Sequence, residues 1–290
     1  MRTMLAIAIA IAAAAAILGG CAIVVAPGGD GDYHVSTPFS GVQGDGVITR
    51  EQRPVGTVQA LEAGGSMVVE VRVGPAPSLV VEADRNLLPL IRTDVRGDSL
   101  VISTEGSYRS SNPVHVIYTT PRLTEVRHGG SGKLTVQDLN GAPLQVRQSG
   151  SGTLVLAGRV DKLDIDGSGS GRVDADALQA GSARLALSGS GRMSIGQVRG
   201  DYADVGVSGS GELRVSGAVR SLNAHSSGSG RLELAGLSSR QGDLSSSGSG
   251  GISANVSDSL VAQTTGSGGI RVAGNPAQRN VSGKNVQLLN

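Results

Sequence analysis

The sequence predicts an all-β protein whose larger part is a parallel β-helix, a β-solenoid with coils of about 20 residues. Three observations support this fold class: a Gly/Ser tetrapeptide recurs at a nearly constant spacing, apolar residues keep register with it, and the chain has 45 glycines but no Trp, one Phe and four Tyr. Aromatic side chains supply much of an ordinary core. A fold with so few of them needs a narrow core of Leu, Val, Ile and Ala, which stacked coils provide.

The recurring tetrapeptide is GGSG at 129, SGSG at 149, 168, 188, 208, 227 and 247, and TGSG at 265. Its third residue, which we call the corner serine, recurs after steps of 20, 19, 20, 20, 19, 20 and 18 residues. A step this constant is typical of stacked equivalent coils, and at about 4.8 Å a coil eight of them form a rod of roughly 38 Å. The corner serines are Ser131, Ser151, Ser170, Ser190, Ser210, Ser229, Ser249 and Ser267.

Three columns of apolar residues keep register with the corner serine, at three residues after it, five residues after it and five residues before it. Mostly polar residues stand between the first two columns, and this spacing of two is typical of strands with one buried face. The first column is Leu134, Leu154, Val173, Met193, Leu213, Leu232, Ile252 and Ile270. The second is Val136, Leu156, Ala175, Ile195, Val215, Leu234, Ala254 and Val272, and the third is Val126, Val146, Ile165, Leu185, Val205, Ala224, Leu244 and Ala262.

The presence of glycine on both sides of each corner serine is explained by the backbone conformation of a short turn. A turn of so few residues requires positive φ, which glycine adopts without a Cβ clash. We also expect the corner serines to pass hydrogen bonds along the axis through their hydroxyls. The chain after residues 274–276 (GNP) is interpreted as a degraded ninth coil, because 281–284 (VSGK) weakly repeats the tetrapeptide.

The chain before the repeat divides into three predicted segments. Residues 1–20 are a signal peptide and residues 21–52, rich in Gly and Asp without a sustained pattern, are a flexible tether. Residues 53–122 are a strand-rich N-terminal β region, in which 86–91 is predicted to form one helical turn. The SGSG-repeat β-helix then occupies residues 123–290.

The N-terminus predicts export and lipidation. A basic start and an apolar run from Leu5 to Leu18 precede 18–21 (LGGC), which fits the bacterial lipobox, so Cys21 is the predicted site of diacylglycerol attachment. A lone cysteine in an exported chain makes no intramolecular disulfide, and lipidation explains it. An uncleaved signal anchor is the alternative, since 22–26 (AIVVA) prolongs the apolar run. Ala22, rather than Asp, after the cysteine favours the outer membrane, with the periplasmic or the surface face left open.

The charge balance argues against nucleic-acid partners. Residues 1–20 contain one charged residue, Arg2, so 24 Lys+Arg and 24 Asp+Glu remain and the exported chain is formally neutral. Binding to phosphate backbones requires a basic face. No basic run is present in the sequence.

Candidate sites for chemistry are few, and we expect no catalytic residue, no metal and no cofactor. The aspartates at 161, 164, 166, 174 and 176 leave calcium binding open, although a solvated acidic face is the simpler interpretation and the calcium-binding GGxGxD repeat is not met. The segment 129–133 (GGSGK) lacks the spacing of a phosphate loop. The histidines His34, His115, His128 and His225 are scattered, without a metal-binding pair.

The order of these segments resembles the head GIN domain family, described as auto-transporter adhesin heads of bacterial envelope proteins. The resemblance rests on the opening strand 57–62, on 68–91 (VVEVRVGPAPSLVVEADRNLLPLI), on 97–102 (GDSLVI), on a strand ending at Pro121, and on serial SGSG coils with a closing GNP. It covers roughly residues 55–285. It implies a right-handed parallel β-helix with a strand-rich start and an adhesin-like role, and it transfers no catalytic or ligand residue.

The function that these observations predict is a non-enzymatic, lipid-anchored envelope protein, adhesin-like or a scaffold, whose rod offers an extended lateral surface. Its predicted partners are the membrane, through lipid on Cys21, and an unidentified protein or glycan. Two alternatives remain open at this point: a polysaccharide-acting β-helix enzyme, by analogy of fold alone, and an envelope-stress accessory that binds a protein.

Overall fold

The computed structural model of the chain describes residues 24–27, 33–36 and 40–289. Two compact units are present, residues 1–42 and residues 43–290. In the first, β1 (Val24–Pro27) pairs antiparallel with β2 (Tyr33–Ser36), so part of the predicted flexible tether is a strand pair. The predicted signal peptide and the predicted lipidation site Cys21 lie outside the described residues.

The remainder of the described chain is almost entirely β-strand. The short strands before the repeat are β3 (Val42–Gln43), β4 (Ile48–Arg53), β5 (Ala60–Ala63), β6 (Val68–Val73), β7 (Ser78–Asp84), β8 (Ile91–Arg96), β9 (Ser99–Thr104), β10 (Tyr108–Arg109) and β11 (His115–Thr120). The repeat contains β12 (Glu125–His128), β13 (Lys133–Gly141), β14 (Leu144–Gln148), β15 (Thr153–Gly169), β16 (Arg172–Gly189), β17 (Arg192–Gly209), β18 (Glu212–Gly228), β19 (Arg231–Gly248), β20 (Gly251–Gly266), β21 (Gly269–Ala273), β22 (Gln278–Ser282) and β23 (Val286–Leu289).

Helical structure is limited to one short turn in the described residues. A 3-10 turn at Leu88–Leu90 confirms the helical turn predicted for 86–91. No helix in the described ranges has the length and apolar character needed to cross a membrane.

The repeat forms a β-solenoid of about eight turns, as predicted. Each of the strands β15 to β20 runs through one coil and pairs in parallel with the next. The register joins equivalent positions of the repeat: Leu154 lies beside Val173, and Met193 lies beside Leu213. All 24 members of the three predicted apolar columns are buried, which confirms the narrow aliphatic core.

The corners stack glycine on glycine. The glycine before each corner serine has positive φ, for example +105° at Gly209, as the sequence predicts. The Ser210 N–H donates to Gly189 O in the previous coil at 2.9 Å, and a Cβ added to Gly209 would lie 2.6 Å from that same oxygen. Glycine is therefore required at this place both for its φ and for the close approach of two backbones.

The predicted hydroxyl ladder of corner serines is wrong. Within the described part of the chain no side-chain hydrogen bond joins two corner serines, and the axial hydrogen bonds of the corner come from the main chain. A hydroxyl pair along the axis occurs two residues earlier, from Ser208 Oγ to Ser188 Oγ at 3.2 Å. The corner hydroxyls are exposed to water, which satisfies them without a neighbour.

The predicted boundary at residue 122 does not separate two structures, because β5 and β6 form the first coil of the same solenoid. They pair in parallel with β12 and β13. Gly64-Gly65-Ser66 is an additional corner beneath Gly130: Gly65 has φ +91°, and the Ser131 N–H donates to Gly65 O at 3.0 Å. The sequence pattern missed this corner since 65 residues separate Ser66 from Ser131.

β9 and β11 extend the solenoid beneath this coil, because they pair in parallel with β5 and β6, and antiparallel strands then cover them. β7 pairs with β11, β4 pairs with β7, and β8 pairs with β9. The tether prediction that ran to residue 52 is therefore wrong at its end, because Ile48–Arg53 is a strand of the folded body. This strand, ITREQR, has a single apolar residue, so the sequence shows no alternating pattern that would predict an edge strand.

Two polar anchors, the buried Asp84 and the partly buried Arg53, hold this covering layer together. Asp84 is 1% exposed, and its carboxylate accepts hydrogen bonds from Ser110 Oγ at 2.6 Å and from Asn112 Nδ2 at 2.7 Å. These hydrogen bonds lower the pKa of Asp84. Arg53 donates to the carbonyl oxygens of Leu88 and Ile91, which lie at the 3-10 turn.

The solenoid closes as the predicted degraded ninth coil. β22 pairs in parallel with β20, and β23 pairs in parallel with β21. The Ile270 N–H donates to Asn285 O at 2.9 Å, and a shortened turn that keeps one positive-φ glycine, Gly283 at +99°, takes the place of the full corner.

Candidate binding surface

The outward residues of the coils form lines of side chains along the solenoid axis. One face of the solenoid is formed by the residues that precede each corner serine in the chain, and we call it the face before the corners. On this face a groove of about 540 Å³ crosses β9, β5, β12, β14, β15 and β16. Charged side chains on its rim are Glu62, Arg127, Arg147 and Asp166. Because residues such as Gly129, Gly167 and Ala186 carry little or no side chain, the groove is open along its floor.

The rim charges of the groove compensate one another. Arg127 lies 2.7 Å from Glu125 and 3.8 Å from Glu62. Arg147 lies 4.0 Å from the same Glu125 carboxylate. Exposed ion pairs of this kind contribute about 0–1 kcal/mol each. They define the shape of the groove and leave its charge close to balanced.

A buried polar pair lies directly beneath this groove. His128 and Gln148 occupy inward positions three residues before the corner serine and are 4% and 3% exposed. His128 Nδ1 and Gln148 Oε1 are 2.8 Å apart, and Gln148 Nε2 donates to Gly152 O at 3.2 Å. Burial lowers the pKa of His128, so its ring is neutral at pH 7 and Nδ1–H is the donor.

The face after the corners carries a line of alternating charges. Arg192 lies 3.3 Å from Glu212, and Arg214 lies 3.7 Å from Glu212 and 2.6 Å from Glu233. The hydrogen bond to Glu233 raises the pKa of Arg214. Between Arg192 and Glu233 opposite charges lie on successive coils, so that these coils attract along the axis.

The predicted acidic cluster is not brought together. Asp161, Asp164 and Asp166 precede the corner at Ser170, whereas Asp174 and Asp176 follow it, and all five side chains are at least partly exposed. Within the described ranges, no three His, Cys, Asp or Glu side chains are grouped so that they could hold a metal ion. Of the other histidines, His225 Nδ1 lies 2.8 Å from Ser245 Oγ on the surface.

The comparisons with known proteins agree with this architecture. The sequence matches the model of a family described as "Putative auto-transporter adhesin, head GIN domain" over residues 58–199 and 182–276. The chain belongs to the head GIN domain family. The resemblance seen in the sequence is thereby confirmed, and the match includes both the covering strands and the serial coils.

Solved structures similar to this head GIN chain include a putative adhesin from Parabacteroides merdae, with 21% identity, a TM-score of 0.66, and coverage of 86% of this chain and 99% of that chain. A putative adhesin from Parabacteroides distasonis has 20% identity and a TM-score of 0.63, covering 86% and 100%. A putative lipid binding protein from the same organism has 21% identity and a TM-score of 0.61, covering 86% and 99%. At these identities the likeness supports the fold. No curated protein is detectably similar to the chain.

We predict that the buried His128 makes the stability of this head GIN chain sensitive to mild acid. Its folded pKa lies below the ordinary value near 6.5, so the unfolded chain binds the proton more readily. The contribution is therefore complete above about pH 6.5 and is lost as pH falls towards the folded pKa, so the protein should be less stable at about pH 5.5 than at about pH 7.5.

Thermal unfolding at the two pH values measures this effect. His128→Gln keeps an amide partner for Gln148 and should show a smaller drop in melting temperature than wild type. His225→Gln, on the surface, is the matched control and should drop like wild type. Equal drops in all three proteins would show that His128 is not the responsible group.

Proposed function

We propose that this protein is a lipid-anchored, non-enzymatic binding module of the bacterial cell envelope, with an adhesin-like role. The observation that carries the proposal is the register of the coils, which repeats each outward position along one line. Such a solenoid offers an extended lateral surface on which contacts with a large partner can add up. The membership of a family described as adhesin heads supports the same role.

Anchoring through lipid on Cys21 is the second part of the proposal. The lipobox 18–21 (LGGC) and the lone cysteine support it, and Ala22 after the cysteine supports the outer membrane as the destination. A protein held at one end presents its solenoid to the surrounding space, so that the sides of the coils meet the partner.

A polysaccharide-acting enzyme is the weaker alternative. Glycoside hydrolysis uses two carboxyl groups on either side of one scissile bond. The aspartates at 164 and 166 are separated from those at 174 and 176 by a corner, and this arrangement favours binding over hydrolysis. An envelope-stress accessory differs from the proposed role only in the identity of its protein partner.

We predict that Cys21→Ser abolishes membrane retention. A single acyl chain of myristoyl size binds a membrane marginally, so firm anchoring requires more than one chain, and the variant has none. It should fractionate as soluble protein or as an unprocessed precursor, which immunoblots of membrane and soluble fractions would show. Membrane retention of the variant at mature size would contradict the lipid anchor.

We also predict that the groove that runs from β9 to β16 contacts the partner in the intact envelope. A photo-crosslinking amino acid in place of Ser168, in the groove, should give a discrete cross-linked product on irradiated cells. The same replacement of Arg240, which is exposed and outside the groove, is the control and should give none. Absence of a product at Ser168, or equal products at both positions, would contradict binding through this groove.

A further inference from the structure

The last coils carry a notch on the face after the corners. The outward column two residues after the corner serine holds large side chains in the middle of the solenoid, at Arg192, Glu212 and Arg231. In the next two coils the same column holds Gly251 and Gly269, which lie beside one another in register. The missing side chains leave two adjoining hollows of about 390 and 370 Å³.

Cations surround the notch. Arg231 stands at the same column one coil below Gly251, Arg271 lines both hollows, and Lys284 lies in the shortened turn of the closing coil. All three side chains are exposed. Neutral hydrogen-bonding groups complete the rim: the corner hydroxyls of Ser249 and Ser267 and the side-chain amides of Asn285 and Gln287.

The charge of the notch is unbalanced, unlike that of the coils between Arg192 and Glu233. In the coils before it, Arg192 and Arg214 pair with Glu212 and Glu233. Beyond Glu233, the outward columns of this face hold Ser, Gly and Arg but no acid among the described residues. Arg231, Arg271 and Lys284 make no ion pair and no side-chain hydrogen bond with the described part of the chain. The single acid at the notch, Glu233, is engaged by Arg214 at 2.6 Å.

We propose that this notch binds a carboxylate-bearing saccharide, such as a short uronic acid oligomer. Guanidinium groups bind carboxylates through two parallel hydrogen bonds, and hydroxyl and amide side chains bind sugar hydroxyls. The cations lie on three of four successive coils, at about 4.8 Å a coil, so they suit a chain with repeated negative charges. No exposed apolar side chain lines either hollow, so the site offers nothing that would enter a lipid bilayer.

The site goes beyond the proposed partner groove, since it lies on the other side of the corners and at the other end of the solenoid. Its geometry also supplies a sharp variant. A Cβ added to Gly251 meets its nearest atom, Gly269 O, at 3.5 Å, and Gly251 does not have a positive φ. Gly251→Glu therefore fits without backbone strain. It places a carboxylate between Arg231 and Arg271, where the notch has no acidic partner for these cations among the described residues.

Titration calorimetry of the full-length protein in detergent at low salt tests the proposal, with trigalacturonate as the probe. Wild type should bind with a dissociation constant of about 1 mM or tighter. Arg271→Gln should weaken binding about fivefold, since it removes one exposed charge pair. Gly251→Glu should abolish binding, and Gly251→Gln, of equal size but neutral, should weaken it less. Arg220→Gln, whose arginine pairs with Asp201 elsewhere, is the control and should bind like wild type.

Four results would overturn the proposal: no binding of trigalacturonate, equal binding of its neutral methyl ester, equally strong competition by inorganic phosphate, or an unchanged affinity in Gly251→Glu. Phosphate competition would indicate a general anion site. Binding of the same protein to phosphatidylglycerol vesicles in place of trigalacturonate would indicate a lipid surface. None of these results would change the photo-crosslinking expected from Ser168, so the notch and the partner groove are tested independently.

Discussion

Each corner of this solenoid brings a carbonyl oxygen against the α-carbon of a glycine in the next coil. An added Cβ would lie 2.6 Å from the facing oxygen at Gly209 and 2.7 Å from it at Gly228. The contact leaves no space for a side chain and sets the spacing of the coils. Because the coils from Gly65 to Gly266 meet their neighbours at the same corner, the apolar columns on both sides remain in register, and a core without Trp or Phe is buried.

The repeat could be predicted from the sequence because its signals are local and periodic. Every coil carries its own corner and its own apolar positions, so each column was visible before any contact was known. The parts that escaped prediction depend on distant segments. Asp84 accepts hydrogen bonds from Ser110 and Asn112, and Gly65 stacks beneath a glycine 65 residues later; no short window of sequence contains either pair.

The outward side chains also repeat from coil to coil, but their charges are balanced in some coils and unbalanced in others. Where charges alternate from coil to coil, as at Arg192, Glu212 and Arg214, the neighbours neutralise one another and the face is balanced. Where glycine replaces the side chain, as at Gly251 and Gly269, the adjacent cations have no ion-pair partner among the residues that the structure describes. A regular scaffold therefore acquires a distinct site through the interruption of one column, while its core remains continuous. The buried His128–Gln148 pair was likewise hidden from the apolar pattern, since it breaks that pattern at one inward column.

Thermal unfolding of paired corner variants tests the role of the glycine contact most directly. Gly209→Val and Gly228→Val force a β-branched residue into φ values of +105° and +96°, which costs on the order of 1–3 kcal/mol before the clash with the facing carbonyl is added. Ser210→Ala and Ser229→Ala remove exposed hydroxyls and should change stability by less than about 0.5 kcal/mol. The account predicts a large drop in melting temperature for both glycine variants and melting like wild type for both serine variants. Glycine variants that melt with wild type would show that the corners are loose linkers, and would contradict the stacked contact on which the fold is built.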